Sequence, residues 1–271
     1  METRARIEKG GENVVRHDAF EWLSRAGFIA RGLVYGLVGI LAFKLALGSG
    51  NRSASQQGAL RTIAAQPLGT VLLILVAIGL GGYALWRLTR ALVGHGPESS
   101  DSRGERVAAF ASGVVYSGIC VVAVEIVLGA GGGSGAARKP TAGVLGWPGG
   151  TWLVAIAGVA MVGVGLYQGY RGITTDFLKD SKTEEMAPGT RRWIAWIGRV
   201  GHLARMLVFC LVGIFLLDAA INADAAKAVG LDGALGKVDH ASYGPFLLGI
   251  VAVGLFAFGV YSLSDARYRR I

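Results

Sequence analysis

The stretch ARGLVYGLVG at residues 30–39 returns as ARMLVFCLVG at residues 204–213, and the two align without a gap. A third and shorter copy, ASGVVY, occupies residues 111–116. Each copy opens an apolar run long enough to cross a bilayer, and a second apolar run follows each of the three. The chain therefore reads as three copies of one two-helix unit.

Six apolar runs of about 20 residues fill the chain, and at ~1.5 Å of rise per residue each spans a hydrocarbon core of ~30 Å. Hydrophobic residues make up 52% of the 271 residues and the mean hydropathy is +0.49, well above the usual soluble composition. These features predict an all-α integral membrane protein. We place its spans at roughly 27–47, 69–89, 107–128, 150–170, 201–221 and 244–264.

The three units run in the same sense, because each begins and ends on the same side of the membrane. Parallel repeats are related by an axis along the membrane normal, so six transmembrane helices in three parallel-repeat hairpins predict a pseudo-threefold bundle. A polar segment, 1–19, precedes the units, and we expect it and the polar connection 172–190 to be mobile. The units themselves cover 20–92, 104–172 and 191–271.

The net charge of +9 is better explained by topology than by nucleic-acid binding. With the N-terminus inside, the amino-terminal segment counted through Arg31, the 87–106 and 171–205 loops and the tail hold 20 of the 27 Lys and Arg residues. The opposite loops hold six. This asymmetry is typical of cytoplasmic loops. It predicts a multi-pass protein of the inner cell membrane with both termini cytoplasmic, in contact with anionic lipid headgroups there.

Several of these residues resemble a known family. The repeated Ala-Arg-Gly-x-x-Tyr helix starts, the connection over residues 58–69 and the helix end GYALWR at 82–87 are similar to the bacterial DUF1206 family. Its members are small membrane proteins with three two-helix repeats and unknown function. The second copy departs from the pattern, with Ser112 where the others have arginine. The resemblance implies the fold and the membrane location, and it implies no catalytic residues.

Three charges lie within the predicted spans, and the repeat places them at one equivalent position. Lys44, Glu125 and Asp218 each come four residues before a predicted helix exit, about one turn or ~5 Å beneath the outer surface. In one interpretation they reach the headgroups as helix-end side chains. In the other, a threefold axis brings them together as a Lys–Glu–Asp cluster that shares a proton or binds a cation. Because charges facing lipid are costly, the axial arrangement is favoured.

Arginines and tyrosines repeat at the cytoplasmic side of the units. Arg31 and Arg205 lie near the starts of the first and fifth spans, and Arg87 and Arg171 follow the tyrosine that ends a second helix by four residues. The third unit has Asp265 at this last position, so it departs from the pattern. We interpret the four arginines as anchors at the cytoplasmic interface that bind phosphate. The alternative is that Arg31 and Arg205 close a cytoplasmic vestibule.

Sequence motifs for chemistry are not found. No nucleophile elbow, metalloprotease motif, phosphate-binding loop or dinucleotide fingerprint occurs, so we predict no catalytic residues, no metal and no cofactor. Cys120 and Cys210 both fall inside spans and are expected to be buried thiols. The favoured hypothesis is a scaffold or accessory module that binds a protein partner or a second copy. The alternative is a small channel or transporter for protons, cations or a small solute that uses Lys44, Glu125 and Asp218.

Overall fold

The helices of this protein are assigned from a computed structural model, which describes residues 18–49, 54–93, 103–129, 144–147, 149–224, 227–228, 231–239 and 243–270. These ranges contain eight α-helices of at least nine residues. They are α1 Asp18–Ala46, α2 Gln56–Ala64, α3 Gly69–Val93, α4 Arg103–Val127, α5 Gly150–Thr174, α6 Pro188–Ile221, α7 Leu231–Asp239 and α8 Gly244–Tyr268. Two short 3-10 helices, Asp176–Leu178 and Thr183–Glu185, lie between α5 and α6.

Six of the helices, α1, α3, α4, α5, α6 and α8, are long and apolar enough to cross a bilayer. The prediction of six spans in an all-α membrane protein is therefore confirmed. Three of them begin earlier than the apolar runs. Helix α4 starts four residues earlier, at Arg103, α1 starts at Asp18 and has 29 residues, and α6 starts at Pro188 and has 34. Proline suits the first turn of α6, because the amide hydrogen that it lacks would have no partner within the helix there.

The spanning helices pack in the order α4, α3, α1, α8, α6, α5, each against the next. This is the neighbour order of a threefold ring, in which every first helix touches its own second helix and the second helix of another repeat. One pair of neighbours differs from the rest. Among the described residues, α4 and α5, the two arms of the middle hairpin, share no extensive contact. The ring is open at this point.

Alanine replaces glycine at the position that brings the two arms of a hairpin together. A methyl group added to Gly27 of α1 would lie 2.7 Å from Cβ of Tyr83 on α3. In the third repeat, a methyl group on Gly201 of α6 would lie 2.7 Å from Cα of Phe258 on α8. The equivalent residue of α4 is Ala108, which already carries this methyl group. The close approach made by the outer hairpins is therefore barred to the middle one.

The faces that the middle hairpin leaves apart are exposed. Ala30 and Ala204 lie against the second helices of their own repeats, and both are buried. Their counterpart Ala111 on α4 is exposed, as are Ala160 and Gly163 on α5. We refer to the space between Ala111 and these two residues as the α4–α5 gap.

The short helices α2 and α7 lie at the end of the bundle opposite the chain termini. Helix α2 contacts α1, α3 and α4, whereas α7 contacts α6, α8 and α1. Each therefore touches both helices of its own repeat and the first helix of the next one, as threefold symmetry requires. Helix α2 begins at the N-cap Ser55, whose hydroxyl accepts a hydrogen bond of 3.1 Å from the amide of Gly58.

The connection between α5 and α6 is fixed to the end of the chain, contrary to the expectation that 172–190 is mobile. Phe177 is fully buried, and the backbone N–H of Lys182 donates to the carbonyl of Tyr268 over 2.7 Å. Ser181 and Arg269 form an isolated antiparallel bridge. An apolar anchor and backbone pairing to the tail thus order a stretch whose composition is polar. The expectation for 1–19 concerns residues that lie almost entirely outside the described ones.

Candidate functional site

The three intramembrane charges singled out from the sequence do not meet. The side chains of Lys44 and Glu125 are exposed, and no ion pair or hydrogen bond links either one to Asp218 in the part of the chain that the structure describes. Asp218 is half-exposed and accepts a hydrogen bond of 2.8 Å from the Asn222 amide. Its Oδ1 lies 3.5 Å from Nζ of Lys227. The geometry matches the helix-end interpretation, because each charge lies close enough to its helix end to reach solvent or headgroups.

Arg31, interpreted from sequence as an interfacial anchor, is instead enclosed by the bundle and only 3% exposed. Its Nη2 donates to Oδ2 of Asp265 over 2.7 Å, and both side chains are buried. Its Nε donates to the hydroxyl of Ser262 at 3.0 Å, and its Nη1 donates to the hydroxyl of Tyr83 at 2.5 Å. The interfacial-anchor interpretation is therefore wrong for Arg31, because its guanidinium binds α3 and α8 inside the protein. We call these four residues the Arg31 cluster.

Aromatic rings cover the faces of the Arg31 guanidinium. Its Cζ lies 5.0 Å from the ring centroid of Phe28, 4.8 Å from that of Tyr83 and 5.2 Å from that of Phe258. A desolvated cation over aromatic rings gains stabilisation that adds to its hydrogen bonds. The charge is thus satisfied in its plane by polar acceptors and across its faces by rings.

A second ionic link joins the Arg31 cluster to the connection between α5 and α6. Nη1 of Arg269 lies 3.6 Å from Oδ1 of Asp265, and Nη2 of Arg269 lies 2.7 Å from Oδ2 of Asp180. Arg171 donates to that same Asp180 oxygen over 2.7 Å. Burial alone would lower the pKa of the Arg269 guanidinium, but the carboxylates of Asp180 and Asp265 raise it above its ordinary value. Arg269 therefore stays charged while buried.

Arg87 and Arg171 also serve this network, although both are only half-buried. Nε of Arg87 donates to the hydroxyl of Tyr83 over 2.9 Å, so this one hydroxyl accepts from two arginines. Arg171 is bound to Asp180, as described above. The side chains of both arginines are therefore engaged with the protein, and their role as lipid anchors stays a prediction.

Arg205 occupies the position of Arg31 in the third repeat, but its partners are neutral. Its Cζ lies 4.4 Å from the ring centroid of Phe258, 4.9 Å from that of Phe209 and 5.3 Å from that of Tyr35. With the amide of Gln168 turned so that its oxygen faces α6, this oxygen accepts from Nη1 at 2.7 Å and from Nη2 at 3.2 Å. None of the described carboxylates forms an ion pair with Arg205.

The repeat explains how these partners correspond. Ser262, which accepts from Arg31, and Gln168, which accepts from Arg205, both come one residue after the tyrosine of a second helix. In the remaining pair, the arginine position holds Ser112 and the acceptor position holds Ala84. Where the arginine is missing, its acceptor is missing as well. A single polar contact between adjacent repeats is thus present twice and absent once.

Five residues that complete this network of ion pairs and hydrogen bonds were not predicted from the sequence: Tyr83, Asp180, Ser262, Asp265 and Arg269. One signal did point to them. Asp265 reverses the charge found at the equivalent Arg87 and Arg171, and this reversal supplies the carboxylate that Arg31 requires. Asp180 gave no such signal, because it belongs to a polar connection without a repeat pattern.

The arrangement is suited to holding charge in place. Among the described residues, no group of three or more His, Cys, Asp or Glu side chains is arranged to hold a metal ion. His202 is buried, with Nδ1 2.8 Å from the carbonyl oxygen of Gly198 and its ring stacked on Phe177 at a centroid distance of 4.7 Å. These contacts give His202 a packing role between α6 and the α5–α6 connection.

Comparisons with known proteins agree with this picture of three repeats. A family model described as "Domain of Unknown Function (DUF1206)" matches three times, at residues 26–94, 107–175 and 200–269. The chain is also similar to "Uncharacterized protein YxxB" of Bacillus subtilis (strain 168), with 32% identity over 263 residues that cover 95% of each chain. No solved structure matches.

Proposed function

Because the chain belongs to the DUF1206 family, whose description leaves the activity open, we propose from its geometry that it is a scaffold or accessory module of the membrane. In this proposal it performs no catalysis and binds another membrane component in the α4–α5 gap. The observation that carries the proposal is the open middle hairpin. Ala30 and Ala204 are covered by their own second helices, whereas the equivalent Ala111 has no such cover.

A second equivalent position supports the same conclusion. Tyr83 and Tyr261 are 1% and 2% exposed and pack edge-on against Phe28 and His202 of their own first helices. Tyr167 on α5 is 37% exposed, and the residue of α4 that would meet it is Ala109. Ala111 on α4 and Tyr167 on α5 thus leave exposed two positions that the other repeats use for close helix packing. Such surfaces favour association within a membrane, where small residues let neighbours approach closely.

The use of charge inside the bundle also supports a role without chemistry. A chain of ion pairs holds α1, α8 and the α5–α6 connection together. It runs from Arg31 to Asp265, Arg269, Asp180 and Arg171. Transport through a Lys44, Glu125 and Asp218 cluster has no comparable support, because their side chains lie apart at helix ends.

We extend the proposal to topology. Arg25, Arg106 and Arg199 are equivalent positions of the three first helices, and all three lie at the end of the bundle near the chain termini. With the charge asymmetry of the loops, this supports an inner-membrane protein whose termini are cytoplasmic, where anionic headgroups are the expected contact.

Photocrosslinking from the gap tests the proposed function. A photoreactive phenylalanine derivative replaces Ala111 or Tyr167, and as a control it replaces Phe256, an exposed aromatic residue on the lipid-facing side of α8. The proposal expects discrete adducts, with a protein or with a lipid, at Ala111 and Tyr167 in native membranes and only diffuse labelling at Phe256. The same diffuse labelling at all three positions would reject the gap as a binding surface.

A further inference from the structure

Arg205 lies inside the bundle beside α5, one of the two helices that border the α4–α5 gap. Its guanidinium, on α6, is held by Gln168 of α5. Tyr116 on α4 is the repeat equivalent of Tyr35 and Phe209, whose rings both lie against this guanidinium, so the threefold arrangement places Tyr116 around the same axis. Arg205 follows Arg199 by six residues, which places it ~9 Å deeper along the helix than that arginine. Residues from both sides of the gap therefore flank a cation within the membrane-spanning part of the protein.

No carboxylate in the described part of the chain compensates the charge of Arg205. A guanidinium has five N–H donors, and Gln168 accepts from two of them. The three aromatic rings cover its faces, but they accept none of the remaining hydrogens in the guanidinium plane. Arg31, at the equivalent position, has Asp265 as its counterion and is closed off, whereas Arg205 stays partly exposed. Within a membrane, an uncompensated cation of this kind is costly unless an anion reaches it.

A second group at the same place lacks a partner. Tyr116 is only 5% exposed, and its hydroxyl has no hydrogen-bond partner among the described residues. Its ring packs edge-on against Tyr83 with centroids 4.5 Å apart, so the side chain is fixed in this position. An unsatisfied buried hydroxyl costs about 1–3 kcal/mol. An acceptor atom bound between Tyr116 and Arg205 would satisfy both groups.

We propose that Arg205 and Tyr116, with Gln168 holding the guanidinium, bind the oxyanion of a membrane amphiphile. The oxyanion is a carboxylate or a phosphate, and the hydrocarbon chain of the same molecule lies in the α4–α5 gap. Charge-assisted hydrogen bonds from a guanidinium to such an oxyanion are short and strong. The proposal rests on the proposed function, since it names the component that fills the gap.

The apolar walls of the gap fit a hydrocarbon chain. Ala111 on α4 and Ala160 and Gly163 on α5 are exposed and small, and a methyl group added to Gly163 would meet no atom within 4 Å. The gap thus offers a polar end at Arg205 and an apolar length beside it. An anionic amphiphile has the same two parts, a charged headgroup and an apolar chain.

Binding to defined lipids tests the proposal with the purified full-length protein. Native mass spectrometry measures the retention of oleic acid, phosphatidylglycerol and zwitterionic phosphatidylcholine, and inorganic phosphate is the water-soluble probe. We expect oleic acid or phosphatidylglycerol to bind at least tenfold more tightly than phosphatidylcholine. Retention of inorganic phosphate, together with equal retention of the three amphiphiles, would overturn the proposal.

Variants identify the residues responsible. Arg205→Gln is expected to weaken binding of the anionic amphiphile about tenfold or more, and Tyr116→Phe about threefold, in line with one charged and one neutral hydrogen bond. Arg205→Lys keeps the charge and should restore part of the binding. The control Arg267→Gln removes an exposed charge near the chain terminus and should leave binding unchanged. Equal losses in Arg205→Gln and Arg267→Gln would mean non-specific attraction to a basic surface and would overturn the proposal.

One outcome separates this proposal from the proposed function. Protein adducts at Ala111 and Tyr167 that Arg205→Gln leaves unchanged would keep the gap as a binding surface and reject the amphiphile. If the photocrosslinks find nothing specific to the gap, both proposals fail. Thermal unfolding of each variant shows that a loss of binding does not arise from a loss of fold.

Discussion

Arg31 and Asp265 are 234 residues apart in the chain, and their buried side chains form an ion pair with 2.7 Å between Nη2 and Oδ2. The pair joins the first and last spanning helices of the protein. Because α1 and α8 belong to different repeats, this contact connects the first repeat to the third in the middle of the open ring. The strength of this contact is the first property to test.

Removing one member of this pair should destabilise the fold strongly. We expect Arg31→Met to lower the free energy of unfolding by about 3–5 kcal/mol, because it leaves the buried Asp265 carboxylate without its main counterion. Replacing both residues, with Asp265→Leu, should cost less than the sum of the single changes. Unfolding in mixed micelles measures the energies. As a control, Arg270→Met breaks an exposed pair with Glu184 and should cost at most about 1 kcal/mol. Additive losses would contradict a coupled pair.

The hydroxyl of Tyr83 should contribute to the stability of the fold, whereas the hydroxyl of its repeat equivalent Tyr167 should not. Tyr83→Phe removes the acceptor shared by Arg31 and Arg87, and we expect a loss of about 1.5–3 kcal/mol, the range for hydrogen bonds to charged groups. Tyr167→Phe changes the same repeat position on α5, where the side chain is exposed, and should be near neutral. Thermal unfolding of the two variants in the same detergent gives the comparison. Similar midpoints would show that Tyr83 is not a shared acceptor.

The absence of a side chain at Gly27 should determine how closely the two arms of the first hairpin pack. Gly27→Ala places a methyl group 2.7 Å from Cβ of Tyr83 and from backbone atoms of α3, so α1 and α3 must move apart. The expected loss is about 1–3 kcal/mol. Gly118→Ala on α4 is the matched control, because a methyl group there meets nothing within 4 Å. Denaturation in detergent measures the free energy of unfolding of both variants. Equal losses in the two would contradict the explanation given for the open middle hairpin.

Asp180 should hold the tail to the α5–α6 connection. Its side chain accepts from Arg171 and Arg269, and its carbonyl accepts from the backbone N–H of Arg270 at 3.0 Å. We expect Asp180→Asn to raise proteolytic cleavage and amide hydrogen exchange in the 176–186 segment. Asp176→Asn, which breaks only a surface pair with Lys179, is the control. If both variants exchange at the wild-type rate, backbone pairing alone fixes this segment.

Replacing the charged side chains at the helix ends should leave the free energy of unfolding nearly unchanged. Lys44→Met and Glu125→Gln change exposed side chains that have no ion pair among the described residues, so we expect shifts within about 0.5 kcal/mol for each. Chemical unfolding of the single and double variants provides the measurement. Large losses in both single variants, with a double variant that loses much less than their sum, would indicate that the two side chains meet, and would restore the cluster hypothesis.

Sequence reasoning reached the fold because apolar periodicity and repetition are properties of the chain itself. The six apolar runs gave the number of spanning helices, and the repeated start at 30–39 and 204–213 gave their grouping into parallel repeats. The open middle hairpin was also encoded in the sequence, by Ala108 at the position equivalent to Gly27 and Gly201. It was missed because one methyl group has meaning only once the distance between two helices is known.

The interior of the bundle was harder to predict, because it depends on which side of each helix faces a neighbour. Arg31 was placed at the interface from its distance to the helix start, whereas α1 begins at Asp18, so that Arg31 lies well inside the helix. Lys44 was assigned to the axis because a charge facing lipid is costly. Its place close to the helix end removes this cost, since the side chain reaches polar surroundings from there.

The ion pair between the first and last spanning helices also bears on how the chain is made. At ~5–20 residues per second, translation from Arg31 to Asp265 takes roughly 10–50 s. Throughout this interval the nascent α1 carries a guanidinium whose counterion does not yet exist. The first helix must therefore be sheltered by the insertion machinery or kept shallow in the bilayer until the last one is synthesised. A ribosome that stops before Asp265 would release a chain whose first helix has an unneutralised charge, a defect by which quality-control proteases can recognise an incomplete product.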